Sequence, residues 1–329
     1  MVNGWQVRLN GFAIDGGNTV APTGADVIAC LTSPPQGMGV PGLRVEDVTY
    51  PQRDGVRHFD DWYNARIITL TDVTICPDED CVQCSSARQK AQNLMLAWSR
   101  HCDDTELVIF TDCHDASAAV TGADRALIGP YGVIGRPRVA ALNWLRGDSG
   151  CAVALLRFDA VDHRLYVLDP SGEPGSGEIC TTLGPEVDAS CRTYPRCYDD
   201  VCSPGVSGWT YNQAITGAFT GPEVVDNFGT LCAQPTLTLD GSLTAPTIEN
   251  VTTGESVTYT GNIGSGEFVV IDTDTGTATD QDGNPVTYLL EGNPRLIIDT
   301  GQNTLRLTSH GPSDTGSVEV CFRPAVLTG

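Results

Sequence analysis

The sequence predicts a mainly β protein in two bodies: an N-terminal β-rich (α+β) domain with one amphipathic helix, and a C-terminal antiparallel β-sandwich. Three observations predict it. Short runs with apolar residues at every second position recur along the 329 residues, as in strands with one buried face. The 36 Gly and 20 Pro gather between those runs, where Gly supplies positive φ and Pro cannot continue a ladder. Only one window, Ser86 to His101, has clear helical periodicity.

The C-terminal domain, 226–329, is the clearest. Thr236-Leu-Thr-Leu-Asp240, Ser256-Val-Thr-Tyr-Thr260, Glu267-Phe-Val-Val-Ile-Asp272, Asn303-Thr-Leu-Arg-Leu-Thr308 and Ser317-Val-Glu-Val-Cys-Phe322 alternate in polarity. Asp240-Gly241, Thr253-Gly254, Gly264-Ser-Gly266, Asp282-Gly-Asn-Pro285 and Gly292-Asn-Pro294 punctuate them. Many short strands at this spacing make an antiparallel sandwich.

The N-terminal domain, 1–168, alternates at Trp5-Gln-Val-Arg-Leu, Arg44-Val-Glu-Asp-Val-Thr-Tyr50, Arg66 to Ile75, Thr105 to Thr111, Val133 to Trp144, Cys151 to Asp159 and Arg164 to Leu168. In the helix 86–101, Ser86 and Gln89 read as a capping box, and Ala91, Leu94, Met95 and Trp98 share one face. Arg100 and His101 fall where the helix dipole favours cations. Gly17 to Gly42, rich in Gly, Pro and Thr, reads as a long loop, and loops of that length usually meet partners. Residues 169–225 hold Cys180, Cys191, Cys197 and Cys202 but few apolar residues. They read as an inserted linker, too poor in apolar surface for a core of its own.

The balance of 41 acidic against 19 basic residues gives a formal net charge of −22. A surface this acidic repels phosphates, so neither nucleic acid nor anionic lipid is an expected ligand. The chain opens with no basic-then-apolar leader and holds no apolar run near ~18 residues, so neither export nor membrane insertion is expected. Of the 13 cysteines, an odd number, at least one lacks a partner within the chain. Without a leader they are expected as thiols during synthesis.

Each motif that could carry chemistry has a simpler structural reading. Gly147-Asp-Ser-Gly150 matches the nucleophile turn of trypsin-like proteases. That chemistry requires a histidine base and an orienting aspartate, and none of His58, His101, His114 and His163 has a protease context. A hairpin loop between two strands explains the motif. Cys76-x4-Cys81-x2-Cys84 has iron–sulfur spacing, with Cys102 or Cys113 as a fourth thiolate, and with His101 or His114 the set could hold zinc. Thiols or disulfides are the expectation. Asp272-Thr-Asp-Thr-Gly and Asp280-Gln-Asp-Gly-Asn resemble calcium loops but lack the EF-hand series, and read as hairpin turns. Asp60-Asp61 and Asp103-Asp104 are adjacent and read as solvated charges. No catalytic, cofactor-binding or metal-binding residue is assigned, and no enzyme activity is expected.

A resemblance adds to this. Asn227-Phe-Gly-Thr, Pro235-Thr-Leu-Thr-Leu-Asp-Gly-Ser-Leu-Thr, Pro246-Thr-Ile-Glu-Asn-Val-Thr-Thr-Gly, Gly266-Glu-Phe-Val-Val-Ile-Asp-Thr and Gly301-Gln-Asn-Thr-Leu-Arg-Leu-Thr-Ser, in that order, resemble the C-terminal domain of siphophage distal tail proteins. Those proteins are also described as siphovirus-type tail components, or as minor tail proteins in actinobacterial phages. Pro51-Gln-Arg-Asp-Gly, Gly132-Val-Ile-Gly-Arg-Pro-Arg-Val and Arg157-Phe-Asp-Ala-Val-Asp-His-Arg-Leu-Tyr extend it to the N-terminal domain, and it lapses between Asp169 and Val225.

The resemblance implies a structural virion protein of a long non-contractile tail. Its N-terminal domains would form a ring, by family expectation a homohexamer, at the distal end of the tube. The expected partners are the tail tube protein, tail-tip hub and tape-measure proteins, and fibre or receptor-binding proteins. DNA would pass through the lumen without sequence-specific binding. It also implies synthesis in the host cytoplasm and residence at the virion's tail tip or baseplate; because a virion later meets an oxidising exterior, late disulfides stay open beside the expected thiols. The C-terminal sandwich would be galectin-like or carbohydrate-binding-module-like. The alternative reading is therefore a tail-tip module that binds envelope glycans. Its aromatics are Phe228, Tyr259, Phe268, Tyr288 and Phe322, most at positions expected to point inward.

Overall fold

The alternating runs of the first half close on themselves. The computed structural model describes residues 5–10, 12–15, 26–31, 33–44, 48–49, 56–57, 62–76, 85–98, 104–111, 123–145, 151–185, 222–309 and 314–329. Seven strands, β1 (Gln6–Leu9), β2 (Phe12–Asp15), β3 (Asp26–Leu31), β4 (Ile67–Ile75), β5 (Thr105–Phe110), β6 (Tyr131–Trp144) and β7 (Ala152–Ala160), pair in the order β7-β4-β3-β2-β1-β5-β6. β6 then pairs with β7, so the sheet is a closed barrel. Closure removes the edges of an open sheet. All pairs are antiparallel except β2 with β3. Irregular register between Val139 and Ala141 of β6, and between Ala154 and Leu156 where β7 meets β4, supplies the local bends that coil strands into a barrel.

Alternation decides what fills it. Ala152, Ala154, Leu156 and Phe158 of β7 are fully buried, as are Ile68, Leu70, Val73 and Ile75 of β4. They share one core with Val7, Leu9, Leu107, Ile109, Tyr131 and Val133. Each of the larger aliphatic and phenylalanine side chains contributes about 1.5–3 kcal/mol on burial.

Helix α1 (Ser85–Trp98) joins this core through Ala91, Leu94, Ala97 and Trp98. Trp98 meets the Phe158 ring edge-on at 6.4 Å. The predicted stripe is off by part of a turn: Met95 is 43% exposed and Ala97 takes its place inside. The helix starts one residue before Ser86, and the predicted cations Arg100 and His101 lie outside the described residues. A second helix, α2 (Ala123–Ile128), was hidden because one and a half turns are too short to show a period.

The stretch 17–42, expected as loop, contains β3. Its Asp26-Val-Ile-Ala-Cys-Leu31 run sits among Gly, Pro and Thr residues, and its parallel partner β2 leaves no hairpin signal between the two. The expected strand over Arg44–Tyr50 is instead two short ribbons, Leu43–Arg44 with Trp62–Tyr63 and Val48–Thr49 with Val56–Arg57.

The second body is a sandwich. One sheet orders the strands Ile179–Leu183, Ser317–Phe322, Thr236–Asp240, Phe268–Asp272 and Thr277–Asp280. The other orders Glu223–Asn227, Gly301–Thr308, Thr247–Asn250, Glu255–Tyr259 and Leu290–Gly292. All pairings are antiparallel, and Leu237, Leu239, Ile248, Val257, Ile271, Leu305, Val318 and Val320 interlock between them.

Met1–Glu178, Phe228–Leu231 and Arg323–Gly329 make the barrel unit; Ile179–Asn227 and Cys232–Phe322 make the sandwich unit. The chain thus crosses at 178/179, 227/228, 231/232 and 322/323. Strand Ile179–Leu183 lies inside the stretch whose composition reads as linker. Its only buried residue is Leu183, so an edge strand of this kind carries almost no apolar signal.

Candidate assembly surfaces

Arg66 organises one end of the barrel unit. Its side chain, with the residue only 2% exposed, donates to five acceptor contacts on main-chain oxygens: Nη1 to Gly37 (2.5 Å) and Gly39 (2.7 Å), Nη2 to Leu327 (2.5 Å) and His163 (3.0 Å), and Nε to His163 (3.2 Å). Burial pulls its pKa down to about 10, with the Asp162 charge opposing, so the guanidinium stays charged at neutral pH. The planar fork lets one residue tie three chain segments. Gly37, at φ +94°, is required there, since a Cβ would lie 2.0 Å from the Ile67 carbonyl oxygen. The last residues are sewn in beside it. Ala325–Val326 pairs with β8 (Leu165–Val167), and the Gly329 amide donates to the Met38 carbonyl at 3.1 Å.

The outer wall carries a second polar tie. Arg323 Nη2 lies 2.5 Å from Glu106 Oε1, its guanidinium stacks 4.7 Å over Tyr166, and Glu106 Oε2 accepts from the Gly175 amide at 2.5 Å. Tyr166 donates to Asp162 at 2.9 Å, and burial first, then the Asp162 charge, push its phenol up to about 12. Glu106 and Arg323 are both largely buried.

Among the described residues the ladder is incomplete along one side of β6. β5 pairs β6 only over Tyr131–Gly135, whereas β7 follows β6 to Trp144. The other edge of Pro137–Trp144 has no strand partner among the described residues. Ile134 O accepts from Val161 N on the β7 side, so Pro137 points its missing N–H at the open edge, where a ladder loses nothing. Further along, the Leu145 amide reaches Cys151 O on the β7 side, which turns the Leu142 and Trp144 amides to the open edge. Trp144 and Leu145 are 47% and 48% exposed. An unpaired strand edge beside exposed apolar side chains has the donors and acceptors to take up a further strand.

No family model matches the sequence, and no curated protein matches it. Solved structures do match. The SPP1 Dit protein, described as a paradigm of the hub adsorption apparatus in phages infecting Gram-positive hosts, aligns over 98% of each chain with a TM-score of 0.57 at 12% identity. This is the distal tail protein fold of siphophages. A chain of the phage P2 baseplate in its activated conformation with Ca aligns over 98% of each chain with a TM-score of 0.40 at 10% identity.

Among the described residues, those singled out by sequence do not converge. Gly147-Asp-Ser-Gly150 lies outside the described residues, and the strands on either side are the β6–β7 hairpin, paired up to Trp144 and Ala152. His58, His101 and His114 are also outside. His163 stacks near Tyr63 at 5.3 Å, and burial lowers its pKa, with Asp162 opposing. Cys76 is bonded to Cys151, which withdraws its sulfur from the iron–sulfur or zinc set; Cys81, Cys84, Cys102 and Cys113 are outside the described residues.

The candidate calcium carboxylates are used locally. Asp272 accepts from the amides of Asp274 and Thr275 and from the Thr275 hydroxyl; Asp280 accepts from the Asp282 amide and from the amide and side chain of Asn284. Asp104 pairs with Arg136 at 2.8 Å, while Asp60, Asp61 and Asp103 lie outside. Sequence reasoning passed over Arg66, because its acceptors are backbone oxygens that no side-chain motif announces.

Proposed function

We propose that this chain is a structural protein of a long non-contractile phage tail. Its barrel units assemble as a ring, by family expectation of six copies, at the distal end of the tube, and the ring links the tube to the tip hub and host-binding fibres. The role is architectural and non-enzymatic, at the virion's tail tip, with tube, hub, tape-measure and fibre proteins as neighbours. The distal tail fold over the whole chain supports this reading, and the observation that carries it is the open β6 edge. A closing ring needs heterologous contacts, and this edge offers one half of such a contact. Part of the net charge of −22 lines the channel, so that DNA passes without adhering.

The test is a double substitution, Trp144→Lys with Leu145→Lys. Charge on a strand edge blocks added strands, and both side chains are already half in water, so the fold should survive. Negative-stain imaging and sedimentation should show rings for the parent and folded single copies for the variant. Rings that persist in the variant would overturn the β6 edge as the contact, a parent that stays monomeric with its tail partners present would sink the ring, and an electropositive lumen would sink the channel charge.

One observation favours the glycan-binding alternative. Tyr259 and Phe322 are buried as expected and Phe228 packs on the barrel core, but Tyr288 is 81% exposed and Phe268 40%. An exposed tyrosine face is what a sugar ring stacks on. If the sandwich binds envelope glycans, Tyr288→Ala should abolish sedimentation of the full chain with host envelopes. Equal or absent sedimentation of parent and variant removes this reading.

A further inference from the structure

The Cys180–Cys321 disulfide occupies a position that composition alone does not explain. Cys180 is the second residue of the sandwich unit after the 178/179 crossing, and Cys321 is the second-last before 322/323. The two stand directly opposite each other on adjacent antiparallel strands, and their bond spans 141 positions of chain. It therefore joins the place where the chain first enters this unit to the place where it finally leaves.

The strand it pins lies at one edge of the sheet. Ile179–Leu183 is an edge strand with Ser317–Phe322 as its sole neighbour in the sheet, and among its five residues only Leu183 is buried. Edge strands with few apolar contacts open first. Any load carried into the sandwich along the chain at 178/179 or 322/323 meets this strand pair before anything else. With the sulfurs joined, that load passes across the bond and the strand cannot peel. With thiols, the ladder and the packing of Ile179 and Leu183 are left to hold it.

We propose that Cys180–Cys321 is a redox-set clasp, open while the chain folds and assembles in a reducing cytoplasm and closed once the particle is outside. The cytoplasmic stage rests on the tail reading above. The chemistry is two thiol–disulfide exchanges with an external low-molecular-weight disulfide. The Cys180 thiolate, on the exposed residue of the pair, attacks the small disulfide to give a mixed disulfide and one small thiol. The Cys321 thiolate then attacks the Cys180 sulfur, releasing the second small thiol. The protein gives up two electrons and two protons, and the external disulfide becomes two thiols.

The experiment uses the full chain made in a reducing cytosol. One portion is alkylated during lysis, a second is treated with oxidised glutathione before alkylation, and both are mapped by peptide mass. Amide exchange is measured on the untreated and the oxidised protein and on Cys180→Ser. The expected result is alkylated Cys180 and Cys321 in the first portion and a 180–321 bond in the second. Exchange at 180–183 should slow by about tenfold or more on oxidation, with no slowing in Cys180→Ser. A bond already present at lysis, no bond after oxidation, or exchange at 180–183 indifferent to the bond each overturns the clasp. Ring formation is scored by imaging on the same samples. Its absence counts against the tail reading and leaves the exchange result standing for the clasp alone.

Discussion

Arg66→Met lowers the unfolding temperature of the barrel unit by about 10 °C. The estimate follows from what the substitution leaves behind. Methionine keeps the apolar stem as far as the Nε position but removes every donor, so the carbonyls of Gly37, Gly39, His163 and Leu327 lose a charged partner at once. Hydrogen bonds to a charged group are worth about 1.5–3 kcal/mol each, but they share one ordered side chain and some freed oxygens regain water, so about 3–5 kcal/mol is lost in all. For a unit of this size that corresponds to the stated shift. Arg66→Lys keeps the charge but cannot span three segments with a compact ammonium, and should recover less than half. Thermal unfolding with amide exchange checks both: exchange should rise first at 36–39 and 325–329. A variant that melts within about 2 °C of the parent would show that the ladder, not the guanidinium, holds these segments.

How much of this was legible in the sequence differs between the units for a physical reason. In the sandwich, Thr236–Asp240 and Ser317–Phe322 coincide with their predicted runs, because one face is buried and the other wet, which writes a strict alternation. Edge strands have less to bury: Glu223–Asn227 and Leu290–Gly292 lie at the margins and left no readable run. In the barrel, β7 alternates cleanly and β4 does so on either side of a one-residue shift between Leu70 and Val73, whereas β3 needs a parallel partner and α2 is shorter than its own period. The polar ties were illegible altogether. Arg66, Glu106 and Arg323 are far apart in sequence, and nothing in their local context distinguishes a buried ion from a solvated one. The same holds for the disulfides, since 13 cysteines fix no connectivity and it took the pairing of strands to bring Cys180 opposite Cys321.

The sandwich holds its own hidden polar tie, and Asn303→Leu should expose it with a loss of about 2–4 kcal/mol. Asn303 is fully buried, as are Asn250 and Asn227. Its amide donates to the carbonyls of Asp299 (2.7 Å) and Gly301 (3.0 Å), and its oxygen accepts from the Asp299 amide (3.0 Å) and from Asn250 Nδ2 (3.0 Å). Asn250 in turn donates to Ile297 O at 2.9 Å and accepts from the Thr252 amide at 3.1 Å, while Asn227 donates to Ile298 O at 3.2 Å. Three side-chain amides thus supplement the isolated Ala233–Ile298 bridge in holding 297–300, the segment that leads into the strand Gly301–Thr308. Leucine keeps the branched skeleton but is larger and carries no polar atom, so it takes the acceptor from the buried Asn250 amide and the side-chain partner from the part-buried backbone groups of Asp299 and Gly301. That cost is the full desolvation of unpaired groups, larger than the net worth of the bonds removed. Asn303→Asp is the sharper control. It keeps the shape and both acceptor contacts but turns two donated bonds into contacts between oxygens, and buries a charge. It should therefore destabilise at least as much as leucine at neutral pH and recover as the pH falls and the carboxyl is protonated, because protonation restores one donor. Denaturant unfolding of the full chain at neutral and acid pH reads both variants. Equal stability of Asn303→Leu and the parent would mean the network is decorative, and an Asn303→Asp deficit that ignores pH would place the cost in shape rather than in hydrogen bonding.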